Sequence, residues 1–318
     1  MIISQLKKGN DMALLSVITP CYNEQETISY FYNETIKYLK TIDIDYEILF
    51  VNDGSKDKTL EECLKIKNKD NNIKIINFSR NFGKEAAMLA GMEEAKGDYV
   101  VIMDTDLQDP PKLLPEMYRI LKEENYDSVA TYRVTRKGEP PIRSFFARLF
   151  YKLINKMVDV EIVDGARDYR MMKRQMVDAI ISMQEYHRFS KGIFAWVGFN
   201  TKYLEFENVE RIAGETKWNF WKLFKYAIDG IVGFTTLPLR LATIAGALVS
   251  TFGFIYMIYI AVKAIVIGDP VAGFPSLIVI ITLLGGIQLL VLGIIGEYLA
   301  RTYMETKKRP VYIIKEIL

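Results

Sequence analysis

Between Leu14 and Met103 the chain alternates short, nearly unbroken apolar runs with longer stretches of helical periodicity. Leu14–Thr19, Tyr46–Val51, Ile73–Phe78 and Val100–Met103 read as strands, and residues 27–39, 59–69 and 84–95 as the helices between them. Strands apolar on both faces and separated by helices predict a parallel sheet covered on both sides. Asp127–Tyr132 and Thr201–Phe206 read as two more strands. Two much longer apolar runs follow, at about 241–262 and 275–299, each close to the roughly 20 residues that a helix needs to cross a hydrocarbon core. The short link between them carries Gly268, Asp269 and Pro270, so the pair is expected to form a transmembrane hairpin with both ends on one side. The competing reading of each run is a core helix of a soluble protein.

Charge refines this picture. Of 318 residues, 41 are basic and 39 acidic, a formal net charge of +2, too balanced for a nucleic-acid binder. Lys222, Lys225 and Arg240 flank the first span and Arg301, Lys307, Lys308 and Arg309 follow the second, whereas the link has Asp269 with Lys263 at its edge. The positive-inside bias then places residues 1–240 and the tail in the cytoplasm. The expected organisation is an α/β domain at 1–210, a basic loop and interfacial helix at 211–236, two spans within 237–300 and a cytoplasmic tail at 301–318. The N-terminus lacks the apolar core of a secretory signal, and Cys21 and Cys63 are read as ordinary thiols of a reducing compartment.

Candidate chemistry collects where the strands end. Asn23 and Glu24, Asn52 and Asp53, Arg80 and Lys84, and then Asp104 and Asp106 each follow directly on a strand, and the ligand crevice of such sheets lies beyond the carboxyl ends of the strands. Asp104 and Asp106, with Asp109 before a proline pair, form an acidic rim that calls for a hard cation such as Mg2+, which takes oxygen ligands and keeps waters and substrate phosphates in its shell. On this reading Asp53 contacts a nucleobase or ribose, and Arg80 or Lys84 counters negative charge. Helix capping competes with ligand contact for Asn23, Ser55 and Asp57.

The strings Val17-Ile-Thr-Pro-Cys-Tyr-Asn-Glu24, Val51-Asn-Asp-Gly-Ser55, Asn81-Phe-Gly-Lys84 and Asp104-Thr-Asp-Leu-Gln-Asp-Pro-Pro111 resemble the inverting glycosyltransferases of family 2. Within that family they look like the polyprenyl-phosphate sugar transferases, which include bactoprenol glucosyltransferases and dolichol-phosphate mannose synthases. The resemblance runs through nearly the whole chain. It implies a GT-A fold, a Rossmann-like, mainly parallel nucleotide-sugar domain followed by an interfacial amphipathic helix and the two-helix hairpin. It also implies a nucleotide-diphosphate sugar donor, a Mg2+ or Mn2+ ion held by Asp104 and Asp106, and a lipid phosphate acceptor. Pro20, Tyr22, Glu24, Asp53, Lys84 and Asp104 become donor-binding residues. Arg211-Ile-Ala-Gly-Glu-Thr-Lys217 matches the family's basic loop, in which Arg211 and Lys217 would steady the departing diphosphate.

Asp164-Gly-Ala-Arg-Asp168-Tyr-Arg-Met-Met172 is a second chemical centre. By its match to a family segment, Asp168 is the candidate catalytic acid/base, with Asp106 the other residue expected to be essential. Chemistry tempers the first role, because a phosphate monoester, with a second pKa of about 6, is largely ionised before any base acts. Arg170 is a candidate for the acceptor phosphate, or for an ion pair with Asp168 or Asp164. Residues 133–141 read as a polar loop over the site. Residues 143–158 read either as an interfacial helix or as a core helix with one solvated face, and 218–234 as an amphipathic helix at head-group depth. His187, the only histidine, is expected at the surface, and Trp196 in the core. Gly246, Gly253, Gly285, Gly286, Gly293 and Gly296 would let helices approach closely, and relatives of this kind point to homotetramers.

The expected activity is transfer of a hexose, glucose from UDP-glucose, to undecaprenyl phosphate on the cytoplasmic face of a bacterial inner membrane. A processive polysaccharide synthase and a non-catalytic nucleotide-sugar-binding subunit of lipid-linked sugar export are the competing readings.

Overall fold

The computed structural model describes residues 13–133, 165–206, 235–267 and 273–318, with single positions at 155, 163, 232 and 233. Two compact units emerge, one formed by residues 1–227 with 310–318 and the other by 228–309. In chain order the first contains β1 (Leu14–Cys21), α1 (Ile28–Leu39), β2 (Asp45–Asn52), α2 (Thr59–Lys67), β3 (Ile73–Phe78), α3 (Lys84–Glu94) and β4 (Tyr99–Ile102). It continues with α4 (Leu114–Glu123), β5 (Ser128–Arg133), β6 (Ala166–Lys173), α5 (Arg174–Ser182), α6 (Ser190–Trp196) and β7 (Thr201–Phe206), and it is completed by β8 (Ile314–Ile317).

The eight strands form one sheet in the order β7-β5-β6-β4-β1-β2-β3-β8. β1 pairs in parallel with both β2 and β4, and β2 with β3. The expected GT-A architecture, a mainly parallel sheet with helices, is therefore present. Chain order runs outward from β1 in both directions, so the switch point lies between β1 and β4, and the crevice of such a fold opens beyond their carboxyl ends. Leu15, Val17, Ile18, Ile48, Phe50, Ile75, Val101 and Phe31 are fully buried, as strands covered on both faces require. Phe31 of α1 meets Phe50 of β2 edge to face, with ring centroids 6.2 Å apart.

Two strands depart from the expected pattern. β6 runs antiparallel to both β4 and β5, and β8 antiparallel to β3. The stretch read as a tail at 301–318 thus ends as an edge strand of the N-terminal sheet.

The second unit contains α7 (Leu237–Ile267) and α8 (Phe274–Thr306). At about 1.5 Å per residue these helices of 31 and 33 residues exceed the roughly 30 Å of a hydrocarbon core. Leu237–Tyr256 and Leu283–Thr306 are long and apolar enough to cross a membrane. Their apolar side chains face outward, with Leu248, Phe252 and Leu289 each about two-thirds or more exposed. That exposure is the opposite of a soluble core helix. The Tyr298 hydroxyl donates to the Thr235 carbonyl at 2.6 Å within this unit. The expectations for residues 134–154, 156–162 and 207–231, including both proposed interfacial helices, lie outside the described residues.

Truncating Phe31 to alanine is expected to destabilise the protein by about 3–5 kcal/mol. Tyr30→Ala, one residue away on α1 but 58% exposed, should stay within about 0.5 kcal/mol of the parent. Denaturant unfolding of the full chain in detergent checks both, and equal losses would contradict the assigned core.

Candidate active site

The candidate site lies just beyond the end of β4. Beyond Ile102 the chain leaves the sheet through Asp104, half-buried, and Asp106, buried. The turn is held by the Gln108 amide donating to Asp106 Oδ1 at 3.1 Å and by the Asp104 amide donating to Asp109 Oδ2 at 3.3 Å. Leu107 adopts a φ of 56°, left-handed backbone that is unfavourable for a residue with this side chain. Strain of that kind persists where the surroundings over-determine it, and such places cluster at functional sites.

The antiparallel register of β6 supplies the partner. Ile102 lies opposite Arg170, so two steps further along, Asp168 comes level with Asp104. Between the two carboxylates lies the ammonium of Lys84, the first residue of α3, 2.8 Å from Asp104 Oδ1 and 2.7 Å from Asp168 Oδ2. Burial works against the charge on Lys84, but Asp104 and Asp168 outweigh it and hold the lysine well above its usual range. Burial likewise opposes ionisation of Asp168, and Lys84, followed by Lys191, overrides it and keeps that carboxyl well below the carboxylate range. Asp168 Oδ1 is buried and has no hydrogen-bond partner among the described residues.

Because strand side chains alternate between faces, β6 divides its work. On one face Arg167 donates from Nε to Asp109 Oδ1 at 2.9 Å and the Tyr169 hydroxyl donates to the Pro110 carbonyl at 3.1 Å. Both pin the 104–110 turn. Burial lifts the Asp109 carboxyl to about 6 against the pull of Arg167. Asp109, expected as a third acid of the rim, is therefore committed to Arg167 and to the Asp104 amide. On the other face Asp168 meets Lys84, while Arg170 stacks over the Phe194 ring at 4.3 Å and hydrogen-bonds Tyr203. Of the two ion pairs expected for Arg170, the one to Asp168 is not formed, the guanidinium lying over Phe194 and against Tyr203 instead; Asp164 lies outside the described residues.

On the β1–β2 side, Asp53 accepts from the Phe82 and Gly83 amides at 2.6 and 2.9 Å, fixing the loop that delivers Lys84. Burial raises the Asp53 carboxyl and those two amides oppose the rise. Gly54, at φ 63°, allows this approach, since a Cβ there would stand 2.4 Å from the Arg80 carbonyl carbon. Pro20, near the end of β1, and Tyr22 and Glu24, just beyond it, are half-buried. The Glu24 amide donates to Thr59 Oγ1 at 2.7 Å, and its carbonyl accepts from the Thr27 amide at 3.0 Å. Asp57 accepts from the Thr59 amide two residues on, an Asx turn leading into α2. Arg211 and Lys217 lie outside the described residues.

Among the described residues no group of three or more His, Cys, Asp or Glu gathers as a metal cage. Two aspartates beside a site already holding a lysine ammonium still fit a magnesium-like ion, which usually binds through one or two carboxylates and completes its shell with waters and substrate phosphates.

Several residues were not picked out from the sequence. Arg167 is one, although it stands next to Asp168. Glu85 is another: it accepts from the Ser190 amide at 3.1 Å and from Ser190 Oγ at 3.0 Å, tying the start of α3 to the start of α6. His187 is exposed as expected. Trp196, expected in the core, is 60% exposed, because it ends a helix whose buried face is spent on Ile193 and Phe194.

Residues 16–181 match the profile of the family described as Glycosyl transferase family 2. The putative glycosyltransferase CsbB of Bacillus subtilis (strain 168) is 46% identical over 303 residues, 95% of this chain and 92% of that one. An uncharacterized glycosyltransferase of Synechocystis sp. is 43% identical over 95% of both chains. The prophage bactoprenol glucosyl transferase homolog of Escherichia coli (strain K12) is 41% identical, over 95% of this chain and 99% of that one.

Burial first, and then the charge of Asp168, raise the Glu85 carboxyl from 4.5 to about 7, against the Ser190 donors and Lys84. A carboxyl raised on folding contributes stability that is fully present below its unfolded pKa and is lost as pH rises through its folded one. Glu85→Gln is therefore expected to flatten the fall in thermal midpoint between about pH 4.5 and 7. Parallel parent and variant profiles would refute the assignment.

Proposed function

The chain belongs to glycosyl transferase family 2, and from that premise we propose that it transfers a hexose, glucose from UDP-glucose, to undecaprenyl phosphate at the cytoplasmic face of a bacterial inner membrane. The observation that carries this reading is the meeting of Lys84, Asp104 and Asp168 at the switch point of the sheet, with Asp106 two residues beyond Asp104.

The donor's diphosphate fits beside Asp104 and Asp106, which would hold a Mg2+ or Mn2+ ion. When bound, that ion neutralises charge growing on the diphosphate as the glycosidic bond breaks. The protein's own residues do the rest. Asp53 shapes the 82–84 loop, Arg167 and Tyr169 keep the acidic turn in register, and Lys84 provides a fixed positive charge beside the donor phosphates. Arg211 and Lys217 are assigned by resemblance to the leaving group.

Asp168 is better suited to positioning than to proton removal. Its carboxyl lies far below neutrality, which makes it a weak base, and an acceptor phosphate monoester is mostly a dianion already. The attacking phosphate oxygen meets the anomeric carbon from the face opposite the departing nucleoside diphosphate, inverting the sugar. Arg170 is the candidate for the acceptor phosphate.

The membrane half of the reading rests on α7 and α8 and on the name borne by the E. coli relative. β7 and β8 belong to one sheet, so a chain that leaves it after β7 must return, and an even number of crossings does that. The two helices make a multi-pass hairpin, with residues 1–210 and the tail cytoplasmic, 211–236 as basic loop and interfacial helix, and four hairpins packed through the span glycines as a homotetramer.

Purified protein incubated with labelled UDP-glucose, Mg2+ and undecaprenyl phosphate is expected to move label into an organic-extractable, mild-acid-labile lipid. Label in a polymer would support a synthase instead, and a panel of nucleotide sugars reads the donor. Asp106→Asn, which keeps an acceptor for the Gln108 amide, should lower transfer by about 10²-fold or more with the thermal midpoint nearly unchanged. Chelation should stop transfer and added Mg2+ or Mn2+ restore it. Near-parental activity in Asp106→Asn would remove the metal assignment.

A further inference from the structure

β8 does more than cover an edge. Ile317, Glu316 and Ile314 pair with Ile76, Asn77 and Phe78, and the ladder extends past both ends of the strand. Ile75 and Leu318 exchange amide hydrogen bonds of 2.9 Å, and the Ser79 amide donates to the Ile313 carbonyl at 3.0 Å. Ser79 is the first residue of the loop that leads to Lys84.

Two side-chain routes run from this segment into the donor side of the site. In the first, Tyr312 stacks on Phe78 with ring centroids 5.0 Å apart and planes 11° from parallel. Phe78 meets Phe82 edge to face at 5.7 Å, and Arg80 lies over the Phe82 ring at 4.0 Å. Phe82 and Gly83 are the residues whose amides Asp53 grips. In the second, the Asn77 amide donates to Glu316 Oε1 at 2.7 Å, and the Asn52 amide donates to Asn77 Oδ1 at 2.8 Å. Asn52 and Asn77 are both buried, and Asn52 immediately precedes Asp53. The Tyr312 hydroxyl also donates to Glu93 of α3, the helix that Lys84 begins.

We propose that residues 312–318 are a positioning element for the donor loop, and that Tyr312 is a positioning residue which, through Phe78 and Phe82, holds the 79–84 loop in the form that presents Lys84 to Asp104. The donor assay rests on the function proposed above; the structural claim does not. The segment lies more than two hundred residues from that loop in sequence, and a purely protective edge strand would need neither the stacked ring nor the buried amide relay.

Hydrogen–deuterium exchange on the full chain in detergent tests this. A stacked aromatic pair is worth enough that Tyr312→Ala should speed exchange at the Phe82 and Gly83 amides by roughly three- to tenfold. Peptides from β1 and β4 should stay within about twofold of the parent. Tyr312→Phe, which keeps the stacked ring, should restore slow exchange at 79–84. In turnover, Tyr312→Ala should raise KM for the nucleotide sugar by a similar factor and change kcat less. If Tyr312→Ala does not accumulate as folded protein, Glu316→Ala carries the test through Asn77 and Asn52, with faster exchange expected at residues 52–55. Unchanged exchange at the loop, or acceleration spread evenly over the sheet, would overturn the proposal. Faster loop exchange with no turnover on any nucleotide sugar would leave the positioning role standing and count against the proposed function alone.

Discussion

Two carboxylates facing each other at the end of a sheet repel unless a positive charge stands between them, and the Lys84 ammonium, within 3 Å of both Asp104 and Asp168, is that charge here. Desolvation and solvent screening offset much of the attraction at such a partly exposed site, but removing one partner would leave the others uncompensated. The rest of the site can be read as the means of bringing three side chains from three elements to one point. β4 delivers Asp104 and the antiparallel register of β6 delivers Asp168. The 79–83 loop, held by Asp53 and closely approached at Gly54, delivers Lys84 at the first residue of a helix.

The two faces of β6 make different contacts. Arg167 and Tyr169 stabilise the acidic turn from one face, while Asp168 and Arg170 meet Lys84 and Phe194 on the other. A one-residue slip in its pairing would exchange these faces, placing Asp168 toward Asp109 and breaking both arrangements. The buried Arg167–Asp109 pair helps specify that register.

How much of this was legible in the sequence follows from what hydrophobic patterning encodes. Buried parallel strands are continuous apolar runs, so β1 to β4 stand out, and residues after each run fall at the crevice by topology alone. Asp104, Lys84, Asp53 and Asp168 were located that way or by resemblance. β6 was not assigned as a strand because Arg167, Asp168, Arg170 and Lys173 crowd eight residues with charge and mask its period. β8 has four residues, Ile-Lys-Glu-Ile, too few for a reliable pattern, and its partner lies far away in the chain. Asp109 looked like one more acid of the rim because composition reports an acid without saying which base it meets. Trp196 looked like core because its aromatic character does not reveal where a seven-residue helix turns outward.

The electrostatics of the central cluster also constrain what the enzyme can accept. An acceptor hydroxyl needs a base with a pKa near the working pH, and among the carboxylates of this cluster Asp168 is held well below that by Lys84. An acceptor that arrives already ionised needs none. The acceptor phosphate of the proposed reaction would accordingly need no proton removed by Asp168. Asp168 also places a fixed negative charge close to where that phosphate would approach, so Arg170, together with positive charge near Asp168, has to offset the repulsion. Lys191, whose charge already acts on Asp168, sits on α6, and Glu85 ties the first turn of that helix to the start of α3. Adjacent residues of α3, Lys84 and Glu85, therefore link the Asp104–Asp168 pair to the start of α6.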